Sequence, residues 1–484
     1  MNNAPGVSRL RSNLRMAAGL ALDLPKLRPT AKTSPSLLLR RWAQKRPDAL
    51  AIAYLDERHT WRQVDQRVDQ YATWFAREGL SRGDVVALLM DNRPDYLFIL
   101  MALSRIGAVT SLINTNVTGR ALVHGVGVCG AKKVLVGAEY LERIRGILHE
   151  LKEVDAVSDL YVQVEAGRAA PDEVRIINSE IEAASGAAEP LDVPSSNRDV
   201  YCYIYTSGTT GLPKAAIIRN HRMLAAGIGF GRLMHRSRPD DVIYVSLPLY
   251  HSSAMFLGWG AALVTGAGIA LRKKFSVTGF WKDIRKFEAT SFIYIGELCR
   301  YLLNAPVTPG ERDHQLRVGT GNGMGPEIWE PFQKRFGVPL IREFYGATEG
   351  NAPIMNVAGR PRMIGKLNRG QVLVRCDAAT GEVHRNEEGF CEKVGAGEAG
   401  LLLGKISRLT TFDGYLDGEA TEKKILTDIF EPGDRYFNSG DLINLHDGGW
   451  LSFADRVGDT FRWKGENVST TEVSDILGDA EGVE

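Results

Sequence analysis

Apolar residues recur along this chain with two periods. Between positions 61 and 78 they fall at Trp61, Val64, Val68, Tyr71, Ala72 and Phe75, the spacing of one helix face, and Thr60 in front supplies a hydroxyl N-cap. Gly83-Asp84 then turns into a continuous apolar run over 85–90, the pattern of a buried strand. Asn92-Arg93-Pro94 opens a second helix running to Gly107, with proline in the first turn, where its missing N–H costs nothing. Residues 108–113 read as another strand, and 132–136 and 159–164 continue the series. Strand, helix and strand joined by short turns predict parallel βα layers. Residues 165–198, rich in Ala, Glu, Ser and Pro, predict a surface excursion or a poorly ordered connection.

The βα rhythm restarts at 200. Residues 200–205 are aromatic and β-branched and read as a buried strand. Further strands are predicted at 241–247, 292–294, 317–320 and 340–343, with a helix over 326–336. Residues 251–271 carry no Asp, Glu, Lys or Arg, but glycines and hydroxyls break the run, so a buried helix, turn and strand is expected in place of a membrane span. Gly125-Val126-Gly127-Val128-Cys129-Gly130 matches G-x-G-x-x-G, yet it follows a helical stretch and precedes a strand, the reverse of a dinucleotide fingerprint. From about 365 the texture changes to short strands and turns, which suit a small antiparallel barrel. The predicted class is α/β: two βα-layered parallel-sheet subdomains plus a small antiparallel β-barrel, then the start of a small α+β domain. The boundaries are a basic arm over 1–34, a large domain over 35–454 with its barrel at about 365–454, and a last segment over 455–484.

Composition narrows the functional classes. The chain has 484 residues, 44% hydrophobic and 24% charged, with a net charge of +1, so no global field points to nucleic acid. Residues 1–41 are the exception, with eight Lys and Arg against Asp23 alone. Residues 9–22 fit a basic amphipathic helix on an anionic membrane surface or, equally, a solvated arm. The five cysteines are scattered without a C-x-x-C pair, which suits a reducing cytosol and neither a disulfide framework nor a zinc site.

The candidate chemistry centres on Tyr205-Thr206-Ser207-Gly208-Thr209-Thr210-Gly211-Leu212-Pro213-Lys214. Gly208 and Gly211 allow tight turns close to a ligand. Thr206, Ser207, Thr209 and Thr210 bring hydroxyl and backbone donors, and Lys214 a mobile cation, the set a phosphate chain requires. The spacing is not that of a Walker loop, since the lysine follows Leu212-Pro213. By composition alone the stretch is also compatible with an ordinary surface loop. The full string resembles the phosphate-loop signature of adenylate-forming enzymes, the superfamily of acyl-CoA synthetases, luciferases and peptide-synthetase adenylation domains. Arg342-Glu343-Phe344-Tyr345-Gly346-Ala347-Thr348-Glu349-Gly350-Asn351 resembles that superfamily's Tyr-Gly-x-Thr-Glu motif. Tyr345 offers a ring to stack on adenine beside Gly346, Thr348 a hydroxyl for the α-phosphate, and Glu349 a hard oxygen ligand for Mg²⁺, with Thr206 as a second metal donor. Thr348, Glu349 and Lys214 are the expected catalytic residues. Gly321-Asn322-Gly323 would lay a flat ring against backbone.

Ser439-Gly440-Asp441 resembles the superfamily's Thr-Gly-Asp segment, with serine for the usual threonine, and Asp441 can accept both ribose hydroxyls. Asp455-Arg456 begins a stretch resembling the entry to the small C-terminal domain, where Arg456 would also contact ribose. The hinge position falls on Gly458, where Asp or Lys is usual. Within the superfamily, residues 321–335, 341–351 and 455–473 are most similar to the very-long-chain acyl-CoA synthetase and fatty acid transport protein family. That resemblance covers roughly 35–484 and implies ATP, Mg²⁺ and coenzyme A as reactants and a long-chain fatty acid as substrate.

The site residues include no nucleophile with a paired base. They suit a reaction in which the substrate's carboxylate attacks the α-phosphate, and the protein positions groups and neutralises charge. His251, Met255, Trp259, Tyr294 and Gly296 are apolar enough for an acyl tunnel or for plain core. The resemblance implies roughly a hundred further residues past the hinge, an ordinary domain size, including a lysine at the reacting groups. A chain ending at Glu484 is therefore expected to bind ATP and acyl-adenylate but to turn over poorly. The expected location is cytoplasmic, at the inner face of the plasma membrane if the arm binds lipid. Two alternatives stand beside the CoA ligase: an acyl-AMP ligase that loads a carrier protein, and a lipid-uptake protein with secondary ATP chemistry.

Overall fold

The computed structural model describes residues 13, 16–28, 30–151, 159–184, 193–206, 212–377, 380–408, 410–457, 460–463 and 466–469. They belong to two compact units. The first takes in Met1–Ile204, Ile218–Ile293 and Val307–Gly319, and the second Tyr205–Ile217, Tyr294–Pro306 and Thr320–Glu484.

The first unit carries most of the βα layers, and the second adds the helices Gly296–Asn304 and Pro326–Phe336 and the strand Ile341–Tyr345. One sheet runs Arg175–Ile176, Leu160–Gln163, Lys133–Gly137, Val85–Leu89, Val109–Leu112 and Val200–Thr206, all parallel. Its strands are almost wholly buried, as a sheet covered on both faces requires. The helix Trp61–Arg77 begins at a complete capping box: Thr60 Oγ1 accepts from the Gln63 N–H, and the Gln63 side chain accepts from the Thr60 N–H. The helix Pro94–Ile106 is buried all round and ends at Gly107, whose left-handed φ of +78° a side chain would resist. A second sheet pairs Val242–Val245 with Ser291–Ile295 and Gly268–Leu271, then Leu50–Tyr54 and the antiparallel Glu57–Thr60. The uncharged run forms the expected helix, turn and strand, with Ser253–Gly260 and Ala261–Thr265 helical, Gly266 left-handed and Gly268–Leu271 extended. Among the described residues no helix is long and apolar enough to cross a membrane.

Two expectations change. The stretch 165–198 is more than a surface excursion: it contains the helix Ile177–Ala184, whose Ile177 and Ile181 are fully buried. The phosphate loop leads into a strand, Lys214–Arg219, where a βα continuation is expected; the β-branched Ile217 and Ile218 favour extension. In the basic arm, Asp23 is buried and accepts from Arg232 Nε at 2.9 Å, which ties residues near 23 to the first unit.

The second unit holds the predicted antiparallel structure. Gly365–Lys366, Trp450–Arg456, Arg435–His446, Ala399–Lys405 and Gln371–Val374 form a half-barrel sheet in that order, with Ile425–Thr427 beside Arg435–His446. Successive residues alternate between two apolar clusters. Leu373, Leu402, Phe437 and Ile443 enter one, while Val372, Leu403, Tyr436 and Leu442 enter the other. Covering both faces fixes the register, because a slip of one residue would exchange the two cores.

Candidate active site

Every described candidate for nucleotide chemistry lies in the second unit. Thr206 and Lys214 flank the phosphate loop. Ser207, Gly208, Thr209, Thr210 and Gly211 lie outside the described residues, as does the hinge candidate Gly458.

The tightest group is a chain of three side chains. Antiparallel pairing of Arg435–His446 with Trp450–Arg456 sets Asp441 opposite Arg456. Asp441 is buried; its Oδ1 accepts from Arg456 Nε at 3.0 Å and its Oδ2 from the Tyr345 hydroxyl at 2.5 Å. Gly440, at φ +75°, makes the turn that aims Asp441, and Ser439 Oγ accepts the Asp441 N–H at 3.1 Å while donating to Leu402 O. Burial, then the Asp441 charge and its hydrogen bond, push the Tyr345 phenol well up. Burial would lower Arg456, but Asp441, Tyr345 and Glu349 outweigh it and hold the guanidinium above its ordinary value. Each Asp441 oxygen keeps a further acceptor position, so ribose hydroxyls would join a group already oriented from both sides.

The second group surrounds Glu349, which is buried. The Tyr415 hydroxyl faces its carboxylate, and burial followed by the Glu349 charge and hydrogen bond raise the Tyr415 phenol. The Tyr415 ring centroid lies 5.9 Å from Lys214 Nζ. This tyrosine is placed by backbone pairing: Ala216 bridges to Tyr415, Ile217 N donates to Gly414 O and Leu416 N to Ala215 O. Burial, then the nearby Lys424 charge, depress the Lys214 ammonium, so it loses its proton at lower pH than an exposed lysine; Asp417 and Glu349 partly offset this. Thr206 Oγ1 is buried with no well-formed hydrogen bond. Tyr415 interacts with both Thr206 and Glu349, and a threonine hydroxyl with a carboxylate is a donor set for a hard cation. No group of three or more His, Cys, Asp or Glu able to hold a metal occurs among the described residues. A magnesium ion held by Glu349 and Thr206 would therefore need oxygens from a bound phosphate, which fits the way Mg²⁺ is usually held at nucleotide sites. Thr348 is half-buried and Gly346 exposed on the segment between Tyr345 and Glu349.

Gly321, Asn322 and Gly323 close the strand Val318–Asn322, and Gly323 takes φ +76°. Packing explains the first glycine: a Cβ on Gly321 would overlap the Tyr294 carbonyl oxygen. Likewise a Cβ on Gly296 would overlap the Gly323 carbonyl oxygen. Beneath them Glu343, which sequence reasoning did not single out, is buried and accepts from Met324 N at 2.7 Å and from the Tyr294 hydroxyl at 3.3 Å. Tyr294 is thus anchored at its polar end. Of the other acyl candidates, His251, Met255 and Trp259 belong to the first unit. Trp259 is fully buried, stacks on Trp61 at 6.0 Å and donates to Met101 Sδ at 3.2 Å.

Tyr415, Glu343 and Lys424 were missed because their neighbours are distant in sequence. The one local signal was the pair of charged residues, Arg342 and Glu343, inside the strand Ile341–Tyr345.

The family model described as AMP-binding enzyme matches residues 39–392. The chain is 42% identical over 467 residues to long-chain fatty acid transport protein 2 of Rattus norvegicus, covering 91% of this chain and 72% of that protein. It is 37% identical over 459 residues to medium/long-chain-fatty-acid–CoA ligase FadD6 of Mycobacterium tuberculosis, covering 94% and 74%. Among solved structures it is similar to the anthranilate CoA ligase AuaEII in complex with anthranoyl-AMP, with a TM-score of 0.75 at 21% identity over 92% of this chain and 82% of that one. A long-chain-fatty-acid-CoA ligase, FadD1 of Archaeoglobus fulgidus, gives 0.72 at 21% identity, over 88% and 85%. The structural likenesses bear on fold, and they agree with the parallel sheets and the antiparallel half-barrel described above.

Proposed function

This chain belongs to the AMP-binding enzyme family, and from that premise we propose that it activates long-chain fatty acids to acyl-CoA through an acyl-adenylate. The observation that carries the reading is the joining of Tyr345, Asp441 and Arg456 into one hydrogen-bonded chain in the unit that also holds Thr206, Lys214 and Glu349. Tyr345 supplies the shelf for adenine, and Asp441 with Arg456 the ribose contacts. Lys214 and the phosphate loop hold the phosphates, and Thr348 donates to the α-phosphate.

In the first half-reaction a fatty acid carboxylate oxygen bonds to the α-phosphorus as the bond to the pyrophosphate oxygen breaks. In the second, the thiol sulfur of coenzyme A bonds to the acyl carbon and AMP leaves with the electron pair; the thiol proton passes to solvent. The residues supply position and charge, and no protein nucleophile is needed. Magnesium bound by Glu349, Thr206 and the phosphates would neutralise charge that develops on the transferring group. Leu22 and Leu24 are exposed, at 73% and 56%, close to Lys26 and Arg28, which supports contact of this end of the chain with an anionic membrane surface.

Exchange of labelled pyrophosphate into ATP tests the adenylation step. Exchange should require a long-chain fatty acid and magnesium, and Glu349→Ala should reduce it by about a hundredfold or more, the usual scale for losing an electrostatic transition-state contact. Exchange that proceeds equally without fatty acid contradicts the reading. The names of the transport-protein relatives favour a second reading, lipid uptake with secondary ATP chemistry; a Glu349→Ala protein that loses exchange yet supports full fatty acid uptake in cells would select it.

A further inference from the structure

Lys424 follows the short helix Gly418–Glu422, which Asp417 caps by accepting from Ala420 N. Two contacts hold this segment at the candidate site. Asn438 N donates to Lys424 O at 2.8 Å, and Thr421 Oγ1 accepts from Tyr415 N at 2.9 Å. The Lys424 side chain then reaches the Ser439–Gly440–Asp441 turn. Its Nζ donates to Ser439 O at 3.4 Å, and a Cβ built on Gly440 would lie 3.6 Å from it. A carbonyl at that distance satisfies an ammonium poorly.

The neighbouring lysine behaves differently: Lys423 Nζ pairs with Glu419. Among the described residues neither Lys424 nor Lys214 has a carboxylate within ion-pair distance. Both are half-buried, and each sits against an aromatic ring, Lys214 on Tyr415 and Lys424 6.0 Å from the Phe437 centroid. The two charges are close enough to act on one another. Asp417 and Glu349 offset part of this repulsion on Lys214, and a bound anion close to both ammonium groups would offset more of it.

We propose that Lys424 is a second cation of the phosphate site, reaching from the Asp441 turn toward Lys214 to bind the phosphate oxygens of a nucleotide. This rests on the adenylate-forming reading of the site. Lys424 touches the turn that orients Asp441, so it stands at the junction of the ribose and phosphate ends.

Calorimetric titration of the whole chain with ATP and, separately, with adenosine tests this. Lys424→Ala should weaken ATP by about tenfold or more, the scale of one charge-assisted hydrogen bond, and leave adenosine unchanged; Lys424→Arg should keep most of the ATP affinity. The unliganded Lys424→Ala protein should melt with the wild type, because the side chain is half exposed. Unchanged ATP affinity in Lys424→Ala overturns the assignment and leaves the nucleotide site standing. An equal loss for ATP and adenosine also overturns it and gives Lys424 a purely structural role. Failure of the wild-type chain to bind either ligand overturns the nucleotide reading itself, and the assignment with it.

Discussion

Asp441 shows how a single buried charge is made useful. Its side chain is 4% exposed, which would be costly without partners, and it has two donors of different kinds, a phenol and a guanidinium. Removing one of them should be felt in the absence of any ligand. Tyr345→Phe deletes the hydroxyl and keeps the ring, so it should destabilise the chain by about 1–3 kcal/mol, the cost of leaving a buried acceptor short of a partner. Urea unfolding checks this; an unchanged midpoint would show that the bond contributes nothing. Tyr345, Asp441 and Arg456 could all be singled out in the sequence because each lies in a short string with a recognisable order. What the strings did not convey is that the three residues bond to one another before any nucleotide arrives. That follows from strand register, which pairs Asp441 with Arg456 across a hairpin. Tyr415 was illegible for the same reason in reverse: its string, Asp413-Gly414-Tyr415-Leu416, reads as a turn, and its role comes from a backbone bridge to Ala216 some two hundred residues earlier.

Among the elements, several were readable from a cap or an apolar run, and others were not. The helix Pro326–Phe336 falls where predicted because Pro326 opens it and Gly337, at φ +71°, ends it. The helix Trp61–Arg77 was equally plain from Thr60 and the apolar spacing. The strand Lys214–Arg219 was not, because a phosphate loop in a βα setting suggests a helix after it. Glycines at strand ends were also ambiguous. Gly321 and Gly296 look like places where a ligand approaches backbone, yet neighbouring carbonyl oxygens occupy the space a Cβ would need. The two explanations differ in the unliganded protein. Gly296→Ala should lower unfolding stability by about 1–3 kcal/mol through forced displacement of packed backbone. Thermal denaturation without ligand measures it; a variant that melts with the wild type while losing ligand affinity would show that the glycine serves the ligand.

On the scale of the molecule, the sequence patterns mark out two kinds of texture; the barrel strands all fall in the second unit, while βα elements occur in both. Continuous apolar runs build the parallel strands such as Val85–Leu89, and in the half-barrel the buried strand Ala399–Lys405 sends successive residues into two apolar clusters. The candidate nucleotide groups all fall in the second unit. The acyl candidates are divided, with His251, Met255 and Trp259 in the first unit and Tyr294 and Gly296 in the second. Composition could not distinguish a tunnel wall from a core, since both are apolar and buried, so the acyl site is the least legible part of the chain. The most direct measurement is the thermal stability of this chain with non-hydrolysable acyl-AMP analogues, hexadecanoyl against acetyl. A ligand at about 100 times its Kd adds about 2.7 kcal/mol to the folded state. Activation of long-chain fatty acids predicts a large upward shift with the hexadecanoyl analogue and a much smaller one with the acetyl analogue. Equal shifts would contradict the long-chain assignment, and no shift with either would contradict the adenylate site.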